Sequence, residues 1–240
     1  METIYRAEEI NEISIAIGAA SVSIQPSEQD GEIRAVLVKG KEEDYRAEQI
    51  GSRLAISYEL KGKQYVIKGK NELDEVLIYL PQNLHLTRMD LSIGAGEAQM
   101  QVPGFLADKI KLEAGAGELD VNDITATESL HVTVGAGETK LRQMSAQNMT
   151  IECGVGNCTY EGSLEHNMDV HCGVGKVKIK LNAKESDYNY KASCALGKVK
   201  MNKNTIASLA TKNRSIQHAN AKGNIILECG LGNISLNCLE

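Results

Sequence analysis

Four of the six cysteines share one short context, in which the thiol precedes a small residue, an aliphatic residue and a glycine. They are Cys153, Cys172, Cys194 and Cys229. Structural metal sites use CxxC pairs or cysteines combined with converging histidines. The nearest pair here is Cys153 and Cys158, with four intervening residues instead of two. We therefore expect no metal at these cysteines, and we expect their thiols to act as small hydrophobic side chains in a core.

A second pair with chemical potential is His171 and Cys172, because these residue types can form a nucleophile and its base. Adjacent residues of a strand point to opposite faces, so we expect His171 to face solvent while Cys172 is buried. The GVGK stretch at 173–176 lacks the GxxxxGK[ST] frame of a phosphate-binding loop. The chain has no Trp and one Phe, so aromatic platforms for sugars are also lacking. The sequence predicts a non-enzymatic protein without a cofactor.

Three acidic residues, Glu97, Glu118 and Glu138, recur 21 and 20 residues apart. If they stack on neighbouring strands, the like charges repel one another. A calcium ion could offset this repulsion, because it binds carboxylate oxygens. The alternative is a solvated acidic edge that resists edge-to-edge aggregation. The three glutamates are therefore a weak candidate for a metal site.

A basic cluster stands out in this chain of net charge −6. Its lysines alternate along two segments and are predicted to occupy matching positions on adjacent coils. Such a face could bind an anionic polymer, lipid headgroups or the acidic surface of a partner protein. The alternative is ordinary solubilising charge. The cluster, called the basic face below, consists of Lys176, Lys178, Lys180, Lys198 and Lys200.

A repeat must position all of these residues. Seven segments align without gaps, and their starts lie 21, 20, 19, 19, 22 and 35 residues apart. Within each unit, positions 1, 3 and 5 are apolar. The alternation then shifts by one residue at a Gly-x pair, so that positions 8 and 10 are the next apolar positions. The cysteines fall at position 3, where other units have Ile, Ala or Val. The segments begin at Leu91, Leu112, Val132, Ile151, Val170, Ala192 and Leu227, and an eighth begins at Ile15.

Units of about 20 residues with two or three short strands are typical of one coil of a β-solenoid. We predict an all-β fold, a right-handed parallel β-helix with coils of about 19–22 residues. Glycine corners would join the strands, because glycine tolerates unusual backbone angles. The inward side chains of successive coils would then form one continuous core.

The chain divides by regularity into two parts. Residues 1–88 are predicted to be an irregular β region that continues or caps the solenoid, with strands at IRAVLVKG, RLAISYEL, KQYVIKG and EVLIYLP. Residues 89–240 are predicted to be the regular solenoid, with an insertion at about 203–224. A short helical turn is expected at TIASLATK within that insertion.

The unit that begins at Leu227 is expected to form the C-terminal end of the solenoid. An open end would expose unpaired backbone groups and a cross-section of the core. We expect the insertion to cover this end with Ile206, Leu209 and Ile216. The alternative is a homo-oligomer in which a second molecule supplies the cover.

The 240-residue chain has no apolar run long enough to span a membrane, and its charged start does not resemble a secretory signal. As written, the sequence predicts a cytoplasmic protein, or a cell-surface module if the chain is a fragment of a longer anchored protein. The net negative charge predicts no binding to nucleic acid.

Repeated GAGE and CGxG units, with VLIYLP before the first regular unit, resemble the bacterial putative-adhesin family of β-strand repeat proteins. That family is a domain of unknown function related to the head domain of putative autotransporter adhesins. The resemblance covers about residues 10–238 and implies a β-solenoid and an adhesin-like binding module of unknown ligand. The alternative is a cytoplasmic scaffold that self-associates through solenoid ends, as bactofilin-like β-helices do.

Overall fold

The structure, a computed structural model, describes residues 1–29, 31–59, 73–82 and 84–239. These residues form an all-β protein whose strands belong to one nineteen-stranded sheet. Short 3-10 turns lie at Ala7–Glu9, Glu42–Asp44 and Glu185–Asp187. The expected strand at KQYVIKG lies outside the described residues.

The strands in chain order are β1 (Glu2–Arg6), β2 (Glu12–Ile17), β3 (Ala20–Pro26), β4 (Glu32–Lys39), β5 (Tyr45–Ile50), β6 (Arg53–Tyr58), β7 (Asp74–Leu80), β8 (His85–Ile93), β9 (Glu97–Ala114) and β10 (Glu118–Val134). They continue with β11 (Glu138–Cys153), β12 (Asn157–Cys172), β13 (Lys176–Lys184), β14 (Tyr188–Cys194), β15 (Lys198–Met201), β16 (Asn204–Ser208), β17 (Asn213–Ile216), β18 (Gly223–Cys229) and β19 (Asn233–Leu239).

The central repeats stack as the sequence predicts. Strands β9, β10, β11 and β12 each run through most of one coil, and each pairs in parallel with the next. Glu97 pairs with Glu118, which in turn pairs with Glu138. Equivalent residues of successive units therefore lie about 4.8 Å apart along the stack.

The C-terminal units stack in a different order from their order in the chain. Strand β18 pairs in parallel with β12 on one side and with β14 on the other. Strand β19 likewise lies between β13 and β15. The unit beginning at Leu227 is thus an internal coil, and the prediction that it forms the end of the solenoid is wrong. The coil of β14 and β15 occupies the end.

The N-terminal end has the same interleaved arrangement. Strand β2 pairs in parallel with β8 and with β6, and β3 pairs with β9 and with β7. The unit at Ile15 is therefore the second coil from this end. Strands β6 and β7 provide the outermost coil, although they come later in the chain.

Antiparallel strands cover both end coils. Strands β16 and β17, from the insertion, pair with β15 and β14, while β4 and β5 pair with β7 and β6. Ile206 is buried against the core and Ile216 is partly buried, whereas Leu209 is 59% exposed. The insertion covers the end coil of β14 and β15, whereas the prediction placed it over the unit at Leu227, and Leu209 takes no part in the core. A strand replaces the expected helical turn.

The corners differ from the predicted pattern in two respects. Position 5 points outward, since Val155 and Val174 are 66% and 54% exposed, and the glycine at position 6 is buried instead. This glycine is required by a close approach between coils. A Cβ on Gly175 would lie 2.0 Å from the carbonyl oxygen of Gly156, and the φ angle of Gly175 is not positive. Contact with the neighbouring coil, and not an unusual backbone angle, selects glycine here.

Candidate functional site

The position-3 cysteines are buried core residues, as the sequence predicts. Cys153, Cys172 and Cys229 are at most 5% exposed, and Cys194 is 6% exposed. All four are free thiols on adjacent coils. Burial raises the pKa of Cys229 to about 12, so its thiol is protonated at neutral pH. The described residues include no cluster of three or more His, Cys, Asp or Glu that could hold a metal ion.

His171 and Cys172 point to opposite faces, as expected. The His171 ring is exposed, and its Nδ1 lies 3.1 Å from a carboxylate oxygen of Glu228 on the next coil. The Cys172 thiol instead donates to the carbonyl oxygen of Gly175 inside the coil. The imidazole therefore cannot act as a base for this thiol.

The three glutamates stack in register along one edge, as predicted. Their row continues through Asn157 to Lys176, so it becomes basic towards the C-terminal end. Glu138 pairs with Lys140 at 3.3 Å on its own strand. Because the described residues offer no converging set of ligands, the calcium hypothesis gains no geometric support.

The five lysines of the basic face are exposed, but the spacing of their two rows differs from the prediction. Lys176 and Lys198 both pair with Asn233, because β19 lies between β13 and β15. The two lysine rows are therefore two coils apart, about 9.6 Å, instead of on adjacent coils. A neutral row of hydrogen-bonding residues separates them, and this spacing lowers the repulsion between the ammonium groups.

Most lysines of the basic face lack an acidic partner. Lys180 pairs with Glu161 at 2.5 Å. No carboxylate of the described residues lies within salt-bridge distance of the other four. These are Lys176, Lys178, Lys198 and Lys200.

An apolar ridge borders the basic face, and the alternating sequence pattern does not predict it. Its members are Val155, Val174, Leu231 and Leu196, in their order along the stack, and they are 54–66% exposed. Backbone hydrogen bonds join the consecutive corners, as from the Leu231 nitrogen to the Gly173 oxygen at 2.7 Å. In spatial order the corner residues change from Ala to Val to Leu. The sequence carries a signal for this ridge: the side chain at position 5 grows from unit to unit, while position 6 is glycine in all seven regular units.

An open groove of about 1050 Å³ lies on the other side of the ridge. Its floor includes Glu152, His171 and Glu228, and Lys212 stands at its end. His171 and Glu228 are the only two side chains within salt-bridge distance of each other among the described groove residues. The cysteines lie buried beneath the groove, and the described residues that line it include no assembled nucleophile and base.

No helix in the described part of the chain is long and apolar enough to cross a bilayer. No curated protein sequence matches the chain. Among solved structures, a putative adhesin from Bacteroides fragilis has 15% sequence identity and a TM-score of 0.50, with 98% of this chain and 96% of that chain covered. At this identity the likeness shows the fold alone.

Two further structures are similar over nearly their whole length. A putative cell adhesion protein from Clostridium sporogenes has 15% identity and a TM-score of 0.45, with 100% of this chain and 99% of that chain covered. A putative lipid binding protein from Parabacteroides distasonis has 13% identity and a TM-score of 0.49, with 100% and 96% covered. None of the three is described as an enzyme. The family model of the Toastrack DUF4097 domain matches residues 10–236, and the chain belongs to this family, as the resemblance to putative adhesins predicted.

Proposed function

We propose that the protein is a non-enzymatic, adhesin-like binding module whose basic face takes an anionic ligand. The observation that carries this proposal is the set of four exposed lysines without an acidic partner among the described residues. Along each strand they recur about every 6.7 Å, and across the coils about every 9.6 Å. A polymer with regularly spaced negative charges can neutralise several of them at once.

The middle row of the face supports the same proposal. Asn233, Ser235 and Asn237 lie between the two lysine rows and offer neutral hydrogen-bonding groups. No carboxylate occurs in this row to repel an anion. The surroundings therefore favour an extended anionic ligand over a single small ion.

Binding of inorganic polyphosphate, measured by calorimetry at low ionic strength, tests the proposal. Replacing four lysines of the face by Gln should weaken binding about tenfold or more, and added salt should weaken binding to the unmodified protein. A matched control removes the same charge elsewhere and should bind almost normally. Equal losses in both variants would show that only net charge matters and would overturn the proposal. The test variant changes Lys176, Lys178, Lys198 and Lys200, and the control changes Lys39, Lys41, Lys109 and Lys111.

Self-association through the solenoid ends is the alternative function, and no feature of the described residues favours it. Both end coils already pair with antiparallel strands, β16 and β17 at one end and β4 and β5 at the other. A second molecule therefore has no free parallel coil to extend. We retain right-handed winding of a parallel β-helix as part of the proposal, supported by the parallel pairing of successive units and the usual hand of such crossovers.

A further inference from the structure

We propose that the apolar ridge and the basic face together dock the protein on an anionic lipid bilayer, with the ridge entering the interfacial layer. This inference rests on the proposed function, because it names the anionic surface that the basic face would meet. A bilayer interface accepts aliphatic side chains a few ångströms deep and attracts lysines beside them.

The ridge has the shape of an inserting edge. Val155, Val174, Leu231 and Leu196 stand at the outer side of sharp corners, on four consecutive coils about 4.8 Å apart. Leu196 is 61% and Leu231 is 56% exposed. The equivalent corners at Ala19, Ala95, Ala116 and Ala136 carry only Ala, so among the described corners of the stack large aliphatic side chains occur on these four coils alone.

The end cover extends this apolar surface. Ser208 of β16 pairs with Lys198, and Asn213 of β17 pairs with Ser193. The loop between these strands must therefore pass the terminal corner at Leu196. This loop carries Leu209, which is 59% exposed.

Cations flank this end of the ridge on both sides. The basic face lies on one side. On the other side are the exposed Lys191 on β14 and Lys212 at the end of the groove. No carboxylate of the described chain lies within salt-bridge distance of these two cations. Lipid phosphates can neutralise both groups while the aliphatic side chains enter between them.

The acidic residues of the groove set the orientation. Glu152 and Glu228 lie beside the coils of Val155 and Leu231, and Glu228 already pairs with His171. An anionic bilayer would repel Glu152, which has no cation within salt-bridge distance among the described residues. The protein should therefore dock with its capped end, at Leu196 and Leu209, and tilt towards the basic face.

The shape of the ridge favours a bilayer over a second copy of the chain. A stable protein interface buries about 800 Å² on each partner. A convex edge formed by four aliphatic side chains touches another convex edge along a line and buries far less. A bilayer deforms around such an edge and contacts every side chain in it.

The lack of Trp in the chain provides a direct test. Leu196→Trp places a single tryptophan on the ridge, and Ile50→Trp places one at a control position that is 68% exposed in the N-terminal part. Vesicles of equal parts phosphatidylglycerol and phosphatidylcholine should shift the fluorescence of the ridge tryptophan to shorter wavelength. The control tryptophan should not shift, and neither should respond to vesicles of phosphatidylcholine alone.

Co-sedimentation with the same vesicles tests the contributions of the two parts. Replacing Leu196 and Leu231 by Ser should reduce the affinity about tenfold or more, while Ile50→Ser should leave it unchanged. Lys176→Gln with Lys198→Gln should reduce the affinity by a similar factor. Unchanged vesicle affinity of the Leu→Ser variant would overturn the proposal.

Other outcomes separate this inference from the function on which it rests. If polyphosphate binds through the basic face but no vesicle binding or fluorescence shift occurs, the bilayer inference fails and the proposed function stands. If neither probe binds, both fail. If light scattering shows a dimer that the Leu→Ser variant dissociates, the ridge is an interface between copies and the bilayer inference is wrong.

Discussion

The two halves of the stack share their inward side and differ on their outward side. In the units at Leu91, Leu112 and Val132, the corner residue is Ala and the next outward residue is Glu. In the four units of the C-terminal half, the corner residue is Val or Leu and the next outward residue is Asn or Lys. Strand pairing and buried slots nevertheless continue in register across the boundary between Glu138 and Asn157.

This difference shows which positions specify the fold and which are free to carry function. The buried position-3 slot accepts Ile93, Ala114, Val134 or a cysteine, because it requires only a small or medium apolar side chain. The buried corner glycine is the same in both halves. The outward positions have no such requirement. Within a few coils their charge changes from negative to positive, and the side chain at position 5 grows from Ala to Leu.

The largest expected effect concerns the buried corner glycines and should be similar in both halves. Added Cβ atoms on Gly117 and Gly175 would lie 2.3 Å and 2.0 Å from carbonyl oxygens of the preceding coils. Changing either residue to Val should lower the free energy of unfolding by about 4 kcal/mol or more, since the contact involves backbone that cannot move aside. Urea denaturation measures this effect. The outward change Lys178→Gln should cost less than about 0.5 kcal/mol, and similar losses in all three variants would contradict this account of the corners.

A smaller effect, a gain in stability, is expected at Thr139. This residue belongs to the unit at Val132 and occupies position 8, which is apolar in the other units. Its hydroxyl is buried and has no hydrogen-bond partner among the described residues. Thr139→Val keeps the shape and removes the unpaired group, so stability should rise by about 1–2 kcal/mol. Thermal unfolding measures the gain. The control Thr133→Val changes a half-buried outward residue and should give no comparable gain in stability. If Thr133→Val stabilises the protein as much as Thr139→Val does, the buried hydroxyl is not the cause.

The smallest expected effect is a loss of stability at alkaline pH, caused by a buried thiol that the acidic half lacks at the same position. Burial raises the pKa of Cys158 from 9.0 to about 12, whereas the equivalent slots hold Ala98 and Leu119 in the acidic half. The folded state thus keeps a proton that the unfolded chain releases above pH 9.0. The contribution of Cys158 to stability should be constant well below that pH and should fall as pH rises from 9.0 towards about 12, by about 1 kcal/mol over the first pH unit above 9.0.

Unfolding of the variant Cys158→Val by urea at neutral and alkaline pH checks this prediction. The variant should lose less stability than the unmodified protein on going to high pH. The change Ala98→Val at the equivalent slot serves as the control and should leave the pH dependence as it is. Identical pH dependence in all three proteins would show that Cys158 titrates normally.

The sequence predicts the parallel stack and the burial of the cysteines because both follow from a period-two pattern repeated at nearly constant spacing. The exposed position 5 was missed because strict alternation through the corner predicts Val155 as inward, whereas two consecutive residues, Gly154 and Val155, face outward. The spacing of the lysine rows was also missed. It depends on which coil neighbours β13, and pattern alone does not distinguish the unit at Ala192 from the unit at Leu227.

The interleaved ends have a consequence for how the chain can fold and how its length can change. The coil of β14 and β15 precedes β18 and β19 in the chain. It must nevertheless leave a space of one coil next to β12 and β13, and β18 and β19 later occupy that space. Closing that space joins residues far apart in the chain, so it should be a late and slow event in folding. A duplicated unit can be accommodated between Leu91 and Val170, where chain order and spatial order agree. Added at either terminus it would disrupt the closure, so this solenoid can lengthen only from its middle.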